Sequence, residues 1–380
     1  MPLRYILIYG FSIFSMFFGS GNLVFPLQIG SASGSQWVIG FLGLFLTGVL
    51  LPFCGLFVIK LYQGNYKAFF AQAGSLGQFY LPLFTLSLLG SFGVVPRCIT
   101  VAHGGIEYIF PHTSLLIFSL IFCLTCYIVC LKDKWMVIIL GKWLTPILLV
   151  CLLILIVLGV VKAPELNTTP VSPIQSFNTG FFRGYETMDL FAAFFFSSVI
   201  FRQLQSLMPA STEKKEIILN ALKPSLMGAI LLGLVYMGFV FLGAYYKSIT
   251  AGVTPELLLP TIACALMGKN AALLIGIIMI FSCLTTAVAL NNIFARYLCS
   301  LLRLKDSSFP RILLITTLIS FLISLLDFKG IAAFLSPVLT FSYPSLIGLT
   351  FLSILTKERK KLKMFFFYGI LFFMLIYEYL

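Results

Sequence analysis

Three short stretches of this chain carry most of its groups suited to chemistry. The first is Phe17-Phe18-Gly19-Ser20-Gly21-Asn22-Leu23-Val24-Phe25-Pro26, inside an apolar run from about Tyr5 to about Ile29. Two glycines, a serine and an asparagine suit a membrane helix interior poorly, because every backbone group there needs a partner. They suit a helix that is interrupted, exposing N–H and C=O groups at mid-depth, as transporters do to hold a substrate and a coupling ion. The pattern predicts an interruption around Gly19 to Asn22.

The second stretch is Gly184-Tyr185-Glu186-Thr187-Met188-Asp189. Carboxylates beside an apolar run are costly unless they face a cavity or a cation, which makes Glu186 and Asp189 candidate functional groups. The competing reading leaves both at headgroup level beside Arg183. The third, Ser282-Cys283-Leu284-Thr285-Thr286-Ala287, places Ser282 and Thr285 at i and i+3 on one helix face with Thr286 adjoining. Hydroxyls there, with carbonyls from a neighbouring broken helix, form an oxygen-lined site for a small hard cation. Otherwise such hydroxyls bond back to the preceding turn or join helices. Asn291 and Asn292 continue the polar row.

The elements that must position these groups are membrane helices. The chain is 60% hydrophobic and 10% charged, with 40 Phe among 380 residues, a composition with no room for a soluble domain. Hydropathy and turn residues predict an all-α polytopic protein with spans near 4–29, 37–61, 79–100, 113–131, 135–161, 179–203, 222–246, 270–301, 310–326, 331–356 and 364–379. The first is expected to be a retained helix rather than a removed leader. A short helix is expected over one mouth of the protein between Pro255 and Gly268.

Basic residues concentrate on one side of that topology. With the N-terminus cytoplasmic, that side carries Arg4, Lys60, Lys67, Lys132, Lys134, Lys214, Lys215 and the run from Lys357 to Lys363, among others, while Lys162, Arg183, Lys247, Lys269 and Lys329 face the other. Arg97 and Lys142 lie within spans. Short loops rich in Lys and Arg resist translocation, so the N-terminus is expected inside and, after eleven spans, the C-terminus outside. The net charge of +13 then reports topology and contact with anionic lipid, not nucleic-acid binding. The nine cysteines lie mostly in apolar helices and read as small hydrophobes, Cys123-x-x-Cys126 included. His103 and His112, expected in one loop, have no zinc spacing, and Asn167-Thr168-Thr169 is a bare glycosylation sequon.

The three stretches, together with Val94-Val95-Pro96-Arg97 and Ser336-Pro337-Val338-Leu339 followed by Tyr343-Pro344, resemble, in the same order, the signatures of the bacterial branched-chain amino acid:cation symporters, the BrnQ-type family. The resemblance spans almost the whole chain. It implies a LeuT-like fold of two inverted five-helix repeats, 1–162 and 163–356, with broken first and sixth helices, and an additional C-terminal helix at 357–380. It implies that Gly19, Ser20, Gly21 and Asn22, with Gly184, Tyr185, Thr187 and Asp189, form the substrate site. It also implies that Ser282, Thr285 and Thr286, with carbonyls near Ser15 and Phe18, hold sodium. Three departures stand out. Glu186 replaces a more usual apolar residue, and Ser197 stands where the family tends to have glycine, leaving the sixth break at 184–189 or 194–198. Eleven spans are counted where the family usually has twelve.

The expected activity is import of leucine, isoleucine and valine by sodium symport across a bacterial cytoplasmic membrane, with no cofactor and no nucleic-acid partner. Proton coupling for a related hydrophobic amino acid is the nearest alternative, and a non-transporting sensor or a membrane-embedded enzyme the alternative of another class. An enzyme would need nucleophile–base geometry or a metal motif, and neither is legible. The oligomeric state is not encoded legibly.

Overall fold

The computed structural model describes residues 3–131, 145–166, 170–209, 212–356 and 358–379. The first ten residues of the predicted fifth span, Lys132, Lys134, Lys142, Lys357 and the Asn167 sequon lie outside these.

Helix occupies the described part of every predicted span, but four spans, the first, second, third and sixth, are irregular. The first consists of α1 (Leu3–Phe17) and α2 (Ser20–Ser33). The second joins α3 (Trp37–Phe45) to α4 (Leu51–Leu61) through a π-helical turn at Leu46–Leu50, where the Thr47 hydroxyl donates to Gly43 O at 3.2 Å and to Phe181 O at 2.9 Å. Such π turns widen a helix locally, and here the widening brings it against the sixth span. After the short α5 (Tyr66–Phe70), the third span is α6 (Gly74–Leu89) and α7 (Val94–Ile109), broken between Gly90 and Gly93. Hydropathy hid this break, since the flanking residues stay apolar. Ser91 Oγ fastens it by donating to Thr316 O at 2.8 Å.

The chain continues through α8 (Leu115–Leu131), α9 (Thr145–Val161), α10 (Pro173–Glu186), α11 (Asp189–Ser206), α12 (Lys214–Tyr245) and α13 (Lys247–Thr250). It then runs through α14 (Leu258–Met267), α15 (Lys269–Leu301), α16 (Phe309–Ser324), α17 (Asp327–Leu355) and α18 (Lys360–Tyr379). Several of these are long and apolar enough to cross a membrane outright. Large apolar side chains such as Leu116, Ile117, Leu120 and Leu124 of α8 are exposed, as a lipid-facing surface requires. The protein is an all-helical polytopic membrane protein.

Glycines set the helix spacing, because membrane helices gain most from close backbone approach. A Cβ on Gly180 of α10 would lie 1.9 Å from Gly40 O of α3, and one on Gly276 of α15 would lie 2.6 Å from Gly105 O of α7. Two sequence expectations are corrected. His103 sits in α7, not in a loop, with Nε2 2.8 Å from Thr113 O. Lys60, counted among flanking charges, is wholly buried, its Nζ donating to Leu56 O at 3.0 Å and to Ser197 Oγ at 3.4 Å.

Candidate functional site

The first break lies slightly before its predicted place. Phe18 N–H still bonds Phe14 O at 2.8 Å, but Gly19 N–H turns to Phe17 O at 2.8 Å, two residues back, diverting it from the Ser15 carbonyl. Gly19 is extended at φ −116° and ψ −155°, and the helix restarts at Ser20. Gly21 and Asn22 are therefore helical residues of the first turn of α2, not part of the unwound segment. This is a correction of two to three residues, and its physical cause is that Gly19 alone supplies the turn. The N–H groups of that first turn have no helical partners, and the dipole there favours negative charge.

The sixth span breaks at Thr187 and Met188, the two helices meeting at a 44° bend. Met188 takes the left-handed conformation, φ 61°, which is strained for a residue with a side chain. Residues 194–198 stay helical, with Ser197 Oγ donating to Leu56 O at 2.7 Å, which removes the alternative break.

The two breaks touch. A Cβ on Gly21 would approach Thr187 Cα at 3.3 Å and the Phe25 ring at 3.1 Å. Asn22 Nδ2 donates to Asp189 Oδ2 at 2.8 Å, Tyr236 OH donates to the same oxygen at 2.9 Å, and the Asn22 amide and Tyr236 hydroxyl also bond one another. Asp189 is 3% exposed and joined to both breaks, so it is enclosed by protein rather than lying at the surface beside Arg183. Thr187 Oγ1 donates to Gly184 O at 2.9 Å and lies 3.5 Å from Asp189 N–H.

Arg97 of α7, fully buried, donates from Nη1 to Glu186 O at 2.6 Å and from Nη2 to Met188 Sδ at 3.3 Å. It thereby caps the carbonyl end of α10, where the helix dipole is negative. The Glu186 carboxylate points the other way, pairing with Arg183 at 2.7 Å and accepting from Ser336 Oγ at 3.4 Å. There it lines a cleft of about 430 Å³ with Gln28, Phe328, Lys329 and Ser336. Arg183 is thus the charged partner of Glu186, which is itself largely buried.

Gly184 and Tyr185 bring no side-chain hydrogen bond to the polar cluster and act by packing. A Cβ on Gly184 would collide with Thr47 Oγ1 at 1.9 Å, so its role is close packing against the second span. The Tyr185 ring stacks on Tyr343 at 4.6 Å, and Tyr343 stacks in turn on Phe191 at 4.6 Å, forming an aromatic pile beside the break.

The oxygen cluster of α15 meets the first break. Ser282 Oγ donates to Phe18 O at 2.8 Å. The Thr286 side chain covers Gly19, where a Cβ would lie 2.9 Å from Thr286 Cγ2, and its Oγ1 is buried without a hydrogen-bond partner. Thr285 behaves differently, its Oγ1 returning to Ser282 O at 2.6 Å. A buried hydroxyl without a partner beside a carbonyl freed from its helix fits the donor set of a hard cation, which takes oxygen ligands.

Sequence reasoning missed Tyr236 and Thr47. Tyr236 is the one polar side chain between Leu226 and Gly243, which is the signal that would have found it. Thr47 gives no such signal, because hydroxyls in membrane helices usually bond their own turn.

A model of the family described as branched-chain amino acid transport protein matches residues 3–378. The branched-chain amino acid permease BrnQ of Corynebacterium glutamicum is 29% identical over 375 residues, covering 97% of this chain and 85% of that one. The branched-chain amino acid permease BraB of Bacillus subtilis is 29% identical over 376 residues, covering 95% and 83%. Among solved structures, Mhp1, a nucleobase-cation-symport-1 family transporter in a closed conformation with bromovinylhydantoin bound, superposes with a TM-score of 0.63 at 14% identity, covering 91% of this chain and 76% of that one. A Na+-coupled sialic acid symporter in a substrate-bound outward-open state gives 0.60 at 13% identity, covering 92% and 78%. Those likenesses establish the LeuT-like fold. With the family model spanning nearly the whole sequence, the chain belongs to the branched-chain amino acid transport protein family and is a transporter, not an enzyme.

Proposed function

We propose that this protein imports leucine, isoleucine and valine across the bacterial cytoplasmic membrane by sodium symport. The substrate's charged groups sit at the facing breaks, held by the first turn of α2 around Ser20 to Asn22 and by the Thr187–Asp189 segment. Sodium sits among Ser15 O, Phe18 O, Ser282 Oγ and Thr286 Oγ1, with Thr285 contributing little. The observation that carries the coupling reading is the approach of Ser282 to Phe18 O at 2.8 Å beside the unpartnered, buried Thr286 hydroxyl. A cation there would also fix the first break in the shape that holds the substrate, which is the linkage symport needs.

The two-repeat organisation, 1–162 and 163–356, is supported by how the helices pair. α2 packs on α12 as α10 packs on α3, α1 packs on α12 as α11 packs on α4, and α7 packs on α15. Exchanging spans one to five with six to ten maps this pattern onto itself, as an inverted repeat requires. The basic-residue asymmetry supports a cytoplasmic N-terminus and an external C-terminus. The cleft at Glu186 then opens outward.

Asp189 supports a second reading, proton coupling, because it is a buried carboxylate joining both breaks. Uptake of radiolabelled leucine into proteoliposomes tests the substrate. Isoleucine and valine should compete at similar concentrations, since an apolar pocket separates a methylene only weakly. Lysine and glutamate should not compete, because a desolvated charged side chain would lack a partner. Strong competition by either charged amino acid, or uptake that never exceeds equilibrium, contradicts the proposal.

A further inference from the structure

Arg97 presents a charge problem that the hydrogen bonds around it do not solve. It is fully buried in a membrane helix, yet its guanidinium hydrogen-bonds only a backbone carbonyl, Glu186 O, and a thioether, Met188 Sδ. Its Nε has no partner. The carboxylates in electrostatic reach are Glu186 and Asp189, and both are engaged elsewhere, Glu186 with Arg183 and Asp189 with Asn22 and Tyr236. Among the described residues, no carboxylate lies within ion-pair distance of Arg97. A buried cation without an anion is among the most costly arrangements a membrane protein can hold.

The surroundings identify what would complete it. The next residue along α7, Cys98, approaches the side chain and backbone of Ser20, which sets this turn of α7 beside the first turn of α2. Ser20 Oγ is itself buried without a partner. The guanidinium carbon lies 5.5 Å from the centre of the Phe25 ring, one turn further along α2. A donor-rich cluster therefore forms from the N–H groups opening α2, the Ser20 hydroxyl and the Arg97 Nε. Such a set is matched to an anion with two oxygens, and the guanidinium fork is the side chain that pairs best with a carboxylate.

We infer that Arg97 is the receptor for the substrate's α-carboxylate, acting with the Ser20 end of α2. This rests on the amino-acid substrate assigned above and adds the group that distinguishes an amino acid from an amine of the same shape. Asp189 stays the negative group of the site, available to the α-ammonium, so a zwitterion gives each buried charge a direct partner of opposite sign. Arg97 also ties the substrate to the sixth span, because the same guanidinium holds the end of α10.

The test compares leucine with leucinamide and leucinol, which lack the carboxylate, as inhibitors of labelled leucine uptake in proteoliposomes. The unaltered protein should prefer leucine strongly over both. Arg97→Gln should raise the leucine concentration for half-maximal uptake on the order of 30-fold or more, while inhibition by leucinamide and leucinol changes little, so the preference collapses. Arg97→Lys keeps a charge without the fork and should fall between. A purely structural cap on α10 predicts instead a lower unfolding temperature with the leucine preference intact, and that result overturns the inference. Should Arg97→Gln fail to fold, Arg97→Lys decides by the same ratio: an unchanged preference overturns the inference, a reduced one supports it. Absence of leucine uptake by the unaltered protein would strike the substrate assignment rather than Arg97 alone.

Discussion

At the scale of single residues, the two threonines of α15 make opposite predictions. Thr286 Oγ1 is buried and unpartnered, whereas Thr285 Oγ1 is spent on its own helix at 2.6 Å. Thr286→Val should raise the sodium concentration for half-maximal uptake roughly tenfold, on the order of 1–2 kcal/mol for one lost oxygen ligand, with leucine affinity at saturating sodium changed less. Thr285→Val should shift it little, and equal effects from both would disqualify the assignment of oxygens. Tyr236→Phe removes one of two donors to the buried Asp189 carboxylate, and uptake should fall roughly 10- to 100-fold, in line with about 1.5–3 kcal/mol for a hydrogen bond to a charged group. The candidate residues were legible because amide, carboxylate and hydroxyl side chains stand out in an apolar chain. Their partners were less so. Tyr236 lies far along the sequence from Asn22, and nothing local in its span says which helix it faces.

At the scale of elements, the broken helices were foretold by composition and displaced in detail by geometry. Gly19 makes the turn, and Gly21 serves a different need, letting α2 approach the Thr187 backbone. Gly21→Val should accordingly insert and fold but lose leucine uptake, measured beside its elution profile in detergent. Gly180→Leu should instead fail at the folding stage, since even a Cβ there meets Gly40 O at 1.9 Å. Normal uptake by the first, or a well-folded second, would contradict these roles. The break at Gly90–Gly93 and the π turn at Thr47 escaped notice for one reason. Hydropathy reports transfer to lipid, and both irregularities are satisfied by neighbouring helices without any change in apolarity.

At the scale of the whole molecule, the pairing of helices reproduces itself when the first five spans are exchanged with the next five, so a rocking of one group of helices against the other would expose the breaks to each side in turn. The proposed orientation rests on the basic residues, and Cys264 of α14, partly exposed, offers a direct check. In a variant keeping Cys264 alone, a membrane-impermeant maleimide should label intact cells, and labelling only after permeabilisation would invert the topology. Sodium coupling is the claim on which the rest depends most. Proteoliposomes holding the purified protein should accumulate radiolabelled leucine above the external concentration when an inward sodium gradient is imposed, and should stop when sodium is replaced by potassium. Uphill uptake without sodium, driven by an inward proton gradient and lost in Asp189→Asn, would contradict sodium coupling and give that role to the buried carboxylate.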